Sequence, residues 1–202
     1  MYDWRRLLKF RCTGCGNCCR GTVVMVGDDD IRRLAAGTGR DPRSFIRFVG
    51  KDSITLDKRS PWWLRLRRRR FVLALQHRHR ACIFLGEDNL CTVYEHRPLA
   101  CREHPFHLQH TESGALWRMS MSRVVHCPHA WDGDLKRRDL VALSRWTARE
   151  SEAYTEKVRL WNRRRPRAAT RLAFLRYLGL VDDRDQAQDS KREGDRAAVA
   201  NR

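Results

Sequence analysis

The chain has 202 residues, enough to bury a core as one domain, and its 42% apolar content with seven Trp and seven Phe excludes wholesale disorder. Its 42 Lys+Arg against 24 Asp+Glu leave a net charge of +18, which suits a phosphate-rich or acidic partner or simply a solvated, Arg-rich surface. No apolar run reaches the roughly 20 residues of a membrane span, and none of signal-peptide length follows the N-terminus, so a cytoplasmic, reducing location without membrane contact is expected.

The composition and pattern predict an α+β domain over 1–181, with a cysteine-rich, irregular centre organised by metal, short hairpins, and flanking helices that include one long C-terminal helix. Four cysteines open the chain in a Gly-rich turn, FRCTGCGNCCRG. Asp28, Asp29 and Asp30 predict the start of a short helix from Ile31 to about Ala36, ended by Gly37 and Gly39. Asp41-Pro42 predicts a second helix, with Phe45, Ile46 and Val49 on its apolar face.

Residues 50–70 read as irregular and basic, ending in Arg67–Arg70. A strand is expected at 71–78, a hairpin at 82–94 turning at Gly86–Asn89, and a short helical turn between Pro98 and Pro105. Two strands within 107–124 would join at Glu112-Ser113-Gly114. Asp132 is expected to cap a helix reaching about Arg164, with Leu140, Leu143, Trp146, Tyr154, Val158 and Trp161 as its buried stripe. Pro166 stops it, a short helix follows at 169–178, and the polar segment 182–202 reads as a disordered tail.

The chemistry concentrates in the eight cysteines, spaced Cys12-x2-Cys15-x2-Cys18-Cys19, Cys82-x8-Cys91-x9-Cys101, then Cys127. In a reducing compartment such spacing marks metal ligands before disulfides. Zinc takes four thiolates in a tetrahedron and an iron–sulfur cubane takes one per iron, so eight cysteines suffice for two sites of either kind. Gly14 and Gly16 allow the backbone to wrap closely. Cys18 and Cys19 would point opposite ways in extended backbone, and so serve two different centres or leave one of them structural. The first three cysteines match the opening of the ferredoxin run, and Cys127-Pro128 echoes its close.

Around these ligands, Arg97 or Arg102 could neutralise a cluster of thiolates, or bind an anion beside the metal. His104 and His126 are reserve ligands or donors to a ligand. Arg65–Arg70, preceded by Trp62 and Trp63, reads as an exposed basic loop with two inward-packed indoles, the alternative being a nucleic-acid stripe with a stacking platform. No Ser/His/Asp motif, phosphate loop or HExxH sequence is present.

The blocks CTGCGNCC and ACIFLGEDNLCTVYEHRPLACREHPF, followed by a later Cys-Pro, resemble the YkgJ-type cysteine-cluster family over residues 10–130. Members are described as zinc- or iron-chelating proteins with a C-x-x-C-x-x-C-C signature. The resemblance implies that Cys12, Cys15, Cys18, Cys19, Cys82, Cys91, Cys101 and Cys127 ligate the metal. The helical extension 131–181 falls outside it. A similar cluster, associated with an iron–sulfur centre, occurs in the longer flagellin lysine N-methylases. The expected function is therefore metal binding through thiolates, with zinc and an iron–sulfur cluster both open. Its alternatives are an iron–sulfur enzyme related to protein lysine N-methylases, and a zinc-stabilised module binding nucleic acid or an acidic protein.

Overall fold

Apolar strands buried on both faces organise the centre of the molecule, and the cysteine segments are draped around them. In the computed structural model, which describes residues 4–111, 115–122, 125–164, 166 and 169–182, the chain is α+β. A short helix α1 (Trp4–Leu7) leads to strand β1 (Arg11–Cys12) and helix α2 (Asp28–Thr38). Strands β2 (Ile46–Gly50), β3 (Leu64–Leu66) and β4 (Arg69–Leu75) form an antiparallel sheet in the order β2-β4-β3. Strands β5 (His77–Arg78) and β6 (Ala81–Cys82) pair next, before helix α3 (Leu99–Glu103). A hairpin of β7 (Phe106–His110) and β8 (Leu116–Met121) precedes β9 (His129–Ala130), helix α4 (Arg137–Arg164) and helix α5 (Arg171–Tyr177).

Helix α2 starts as its three aspartates predict, with the Asp30 carboxylate accepting the Gly27 N–H at 3.2 Å. It ends later than expected, at Gly39 in the left-handed region (φ 64°). Gly37 lies inside the helix, and the His96 ring packs where a Cβ on it would stand.

The helix expected after Asp41-Pro42 is a single turn, Pro42–Ser44, followed by strand β2. The sequence misleads here because the sheet is covered on both sides. Val49, Val72 and Ala74 pack with Trp63 on one face, and Ile46, Leu73 and Leu75 join the main core on the other. A strand buried on both faces loses its period-2 alternation, so Phe45, Ile46 and Val49 imitate helical spacing.

The region expected to be irregular holds β3, and Arg67-Arg68 are the two-residue turn into β4, which starts at Arg69 rather than 71 and stops at Leu75. The 82–94 hairpin keeps its turn, with Gly86 N–H bonded to Leu90 O at 2.8 Å, but its ladder is one bridge, Leu85 to Cys91. The residues joining β7 to β8, Glu112-Ser113-Gly114, lie outside the described residues, as does the expected tail from 183 onward.

Asp132 does not cap α4. It forms a two-pronged ion pair with Arg11 at 2.8 and 2.9 Å, and the following segment is bonded to the residues just after α1, Gly133 N–H to Lys9 O and Leu135 N–H to Leu8 O. Helix α4 therefore begins five residues later, at Arg137. Of its predicted stripe, Leu140, Tyr154, Val158 and Trp161 are buried. Trp161 and Phe174 of α5 meet edge to face at 5.1 Å, closing the main core. A second, smaller cluster of Leu7, Phe10, Phe106 and Leu140 holds α1 against the β7–β8 hairpin.

Candidate metal centre

The loop from Cys12 to Cys19 is shaped by two glycines with positive φ, Gly14 at 67° and Gly16 at 69°. A Cβ on Gly16 would stand 3.2 Å from both the Cβ and the carbonyl oxygen of Asn89, so the turn at 86–90 is packed directly onto this loop. Asn17–Cys19 form a 3-10 turn instead of extended backbone. Cys18 and Cys19 consequently do not face opposite ways, and their Sγ atoms are 4.0 Å apart.

Two anchors hold this loop. On one side, β1 pairs with β9 in the register Arg11–Ala130 and Cys12–His129. Thr13 Oγ1 donates to Pro128 O at 2.8 Å, and Asn17 Nδ2 donates to His126 O at 3.0 Å. Cys127 lies between those two carbonyl-bearing residues, so the Cys12–Cys15 segment is zipped against it. On the other side, Gly21 N–H bonds to Arg80 O at 2.9 Å and Arg20 bridges Ala81, which brings Cys19 beside Cys82 of β6. The Leu85–Cys91 bridge adds Cys91, and the Leu99 N–H donates to buried Asp30 at 2.9 Å, fixing the helix that carries Cys101. Core membership follows the same division. Cys82 belongs to the main core with Cys19 and Cys91 packed on it, whereas Cys127 packs on the smaller cluster.

Electrostatics places Cys18 in both neighbourhoods, since its charge acts on Cys82 and Cys101 as well as on Cys127. A side-chain hydrogen bond from Cys19 is the main cause holding the Cys18 thiol down to about 6, with the Arg97 charge contributing. Cys19 is pushed up by that bond, by burial, and by the charges of Cys18, Cys82 and Cys101. Burial raises Cys101 first, then Cys82, Cys18 and Cys91. Cys127 is pushed up to about 11 by burial and then by Cys12, Cys15 and Cys18. Thiolates this close repel one another unless a cation or protons intervene.

Of the accessory residues, Arg97 stacks 3.6 Å above the Tyr94 ring and donates to Tyr94 O, within electrostatic reach of Cys18. Arg102 donates to the carbonyls of Arg97 and Glu95, bracing that turn. His104 has a buried Nε2 without a hydrogen-bond partner, and burial lowers its proton affinity. His126 is exposed. Trp63 is buried and donates to Asp57 O at 2.8 Å, and Trp62 packs 4.8 Å from Tyr154, so both indoles point inward.

The sequence reading missed the Asp30–Arg33–Glu150 network beneath α3, in which Arg33 bridges α2 to α4. Its only signal was an acidic residue three positions before an arginine, a spacing common on any helix.

Among the described residues, no three His, Cys, Asp or Glu side chains stand in a closed metal-ligating array. The donor set nonetheless suits a thiophilic cation: soft thiols with mutually raised proton affinities, a nearby arginine, and glycines that let the loop close. No described helix is long and apolar enough to cross a membrane. No curated protein and no solved structure matches the chain. The model of the CxxCxxCC family, described as "Putative zinc- or iron-chelating domain", matches residues 11–128, a span that contains all eight cysteines and more than half of the chain. The chain belongs to the CxxCxxCC family of zinc- or iron-chelating domains.

Proposed function

We propose that this protein binds zinc or iron through two four-thiolate sets, Cys12, Cys15, Cys18 and Cys127 in one, and Cys19, Cys82, Cys91 and Cys101 in the other. The observation that carries the reading is the double anchoring of one loop. Its first half is bonded to the segment around Cys127, and its second half is bridged to β6 beside Cys82. The 3-10 turn Asn17–Cys19 carries Cys18 and Cys19 between the two anchors, with their Sγ atoms 4.0 Å apart, and the proposed sets adjoin there.

A metal held by four thiolates screens their repulsion, contributes folding free energy directly, and leaves no ligand position vacant for a substrate. The chain's own part is to gather the thiols. Gly14 and Gly16 supply the tight turns, Asp30 positions α3 under Cys101, and Arg97 places a positive charge near Cys18. Structural or electron-carrying use of the metal follows more directly from this closed ligation than catalysis does.

Metal analysis of variants tests the partition. Cys15→Ser removes about half of the bound metal, and adding Cys12→Ser removes no more, because both belong to one set. Adding Cys91→Ser to Cys15→Ser removes the rest. Loss of all metal in Cys15→Ser, with native circular dichroism retained, would mean a single shared centre and would overturn the two-set reading.

A further inference from the structure

A cavity of about 1050 Å³, lined by no cysteine, lies between the β3–β4 hairpin and α4. Lys58, Arg59, Arg65, Arg70, Arg159 and Arg163 line it, against only two carboxylates, Glu152 and Glu156. Glu156 is held by Arg159, and among the described residues no ion pair engages Lys58, Arg59, Arg65 or Arg163. Two further depressions continue it: one shares Arg65 and Asn162 and leads to Arg67, and the next shares Arg67 and ends at Arg171. The result is a basic track rather than a point site.

We propose that this track binds the sugar–phosphate backbone of a single-stranded nucleic acid. The hairpin is built with uncompensated charge. Arg65 and Arg70 stand directly opposite each other across the ladder, an arrangement of like charges that destabilises a strand pair, and the turn residue Arg67 holds a left-handed φ of 53°. A run of phosphates would relieve that repulsion, and the guanidinium fork matches phosphate oxygens in a bidentate fashion.

A peptide partner is disfavoured by the edge strand itself. An added β-strand would need the free backbone groups of β3, but Arg65 N–H is taken by Asn162 Oδ1 at 2.7 Å and Arg65 O by Trp161 Nε1 at 3.0 Å. Asn162 also donates to Trp63 O at 2.8 Å, so the edge is sealed and presents only its cationic heads. Because Trp63 is buried beneath Arg70 and Trp161 is likewise buried, the track offers no exposed indole among its described lining residues for base stacking. Binding is therefore directed at the backbone and independent of sequence. The recessed shape favours a single strand, whose phosphates can enter the groove, over a duplex that would lie across its rim.

The test is fluorescence anisotropy with the metal-loaded full chain and a labelled oligothymidylate of about 20 nucleotides, with a mixed-sequence strand, a duplex and poly-glutamate as comparisons. Both single strands should bind alike, with affinity falling by a factor of about 10 or more between 50 and 200 mM salt. Arg65→Gln with Arg163→Gln should lower the log–log salt slope by about 1 to 2 and weaken both strands equally. Lys9→Gln with Arg138→Gln removes the same charge from a separate basic depression near α1 and should leave affinity within about twofold, provided the track governs binding. Equal losses in both double variants would reduce the effect to net charge. Tighter binding of the duplex or of poly-glutamate, or no binding at low salt, would also overturn the proposal.

Discussion

Replacing Arg33 by Met tests how the fold carries Cys101. Arg33 reaches from α2 to hold Asp30 on its own helix and both oxygens of Glu150 on α4, at 2.7 and 2.8 Å, with its guanidinium 4.8 Å over the Trp146 ring. Asp30 is only 5% exposed and also accepts the Leu99 N–H that begins α3. Methionine fills similar volume but leaves a buried carboxylate without its cation. Removing one partner of a fully buried pair costs roughly 3–5 kcal/mol, and the partial exposure of Arg33 and Glu150 lowers the expectation to about 2–3 kcal/mol. Urea unfolding at neutral pH reads this directly. Asp30→Asn in the Arg33→Met background should recover most of the loss, since the asparagine needs no counter-charge. A loss below about 0.5 kcal/mol for Arg33→Met, or no recovery in the double variant, would refute the reasoning.

Three other outcomes are expected. Burial holds His77 and His104 below the ordinary imidazole value of 6.5, with Arg47 and His107 adding to it. An imidazole kept neutral when folded gives stability that is full above that value and lost as pH falls through the folded value. The urea midpoint should therefore drop between pH 7 and 5 and drop less in His104→Gln, and identical slopes for the two proteins would contradict this. Asn162→Ala strands the Arg65 N–H and the Trp63 carbonyl, and should cost about 1–3 kcal/mol in the same assay; a change under 0.5 kcal/mol would show that water replaces both bonds. Gly16→Ala forces a Cβ into the left-handed region against Asn89, costing about 1–2 kcal/mol and weakening metal retention against a chelator. Unchanged retention would mean the loop closes without that turn.

How much of this was legible in the sequence follows from how local each signal is. The α2 start, the turn at 86–90, α3 between its two prolines, α5 and the apolar face of α4 were readable because caps, turn residues and periodicity act within a few positions. Strand β2 was not, because burial on both faces erased its alternation. The start of α4 was not, because Asp132, an ordinary N-cap residue, is claimed by Arg11 more than a hundred positions away. At the cysteines, spacing and resemblance point to metal, while the extended backbone that would turn Cys18 and Cys19 apart is not what the loop adopts there. Asn17–Cys19 form a 3-10 turn that keeps those two thiols 4.0 Å apart, and the anchors at 126–130 and 80–82 are long-range contacts that leave no mark in the local sequence. The sealed edge of β3 depends on two α4 side chains, a contact no local pattern announces.

The central claim, that the eight cysteines serve as metal ligands, is tested most directly by thiol alkylation of anaerobically purified protein, with metal and acid-labile sulfide measured on the same sample. The account predicts bound zinc, or iron with sulfide, and all eight thiols protected until a chelator is added, after which all eight react. Metal-free protein, or rapid alkylation of four or more thiols while the metal stays bound, would contradict it.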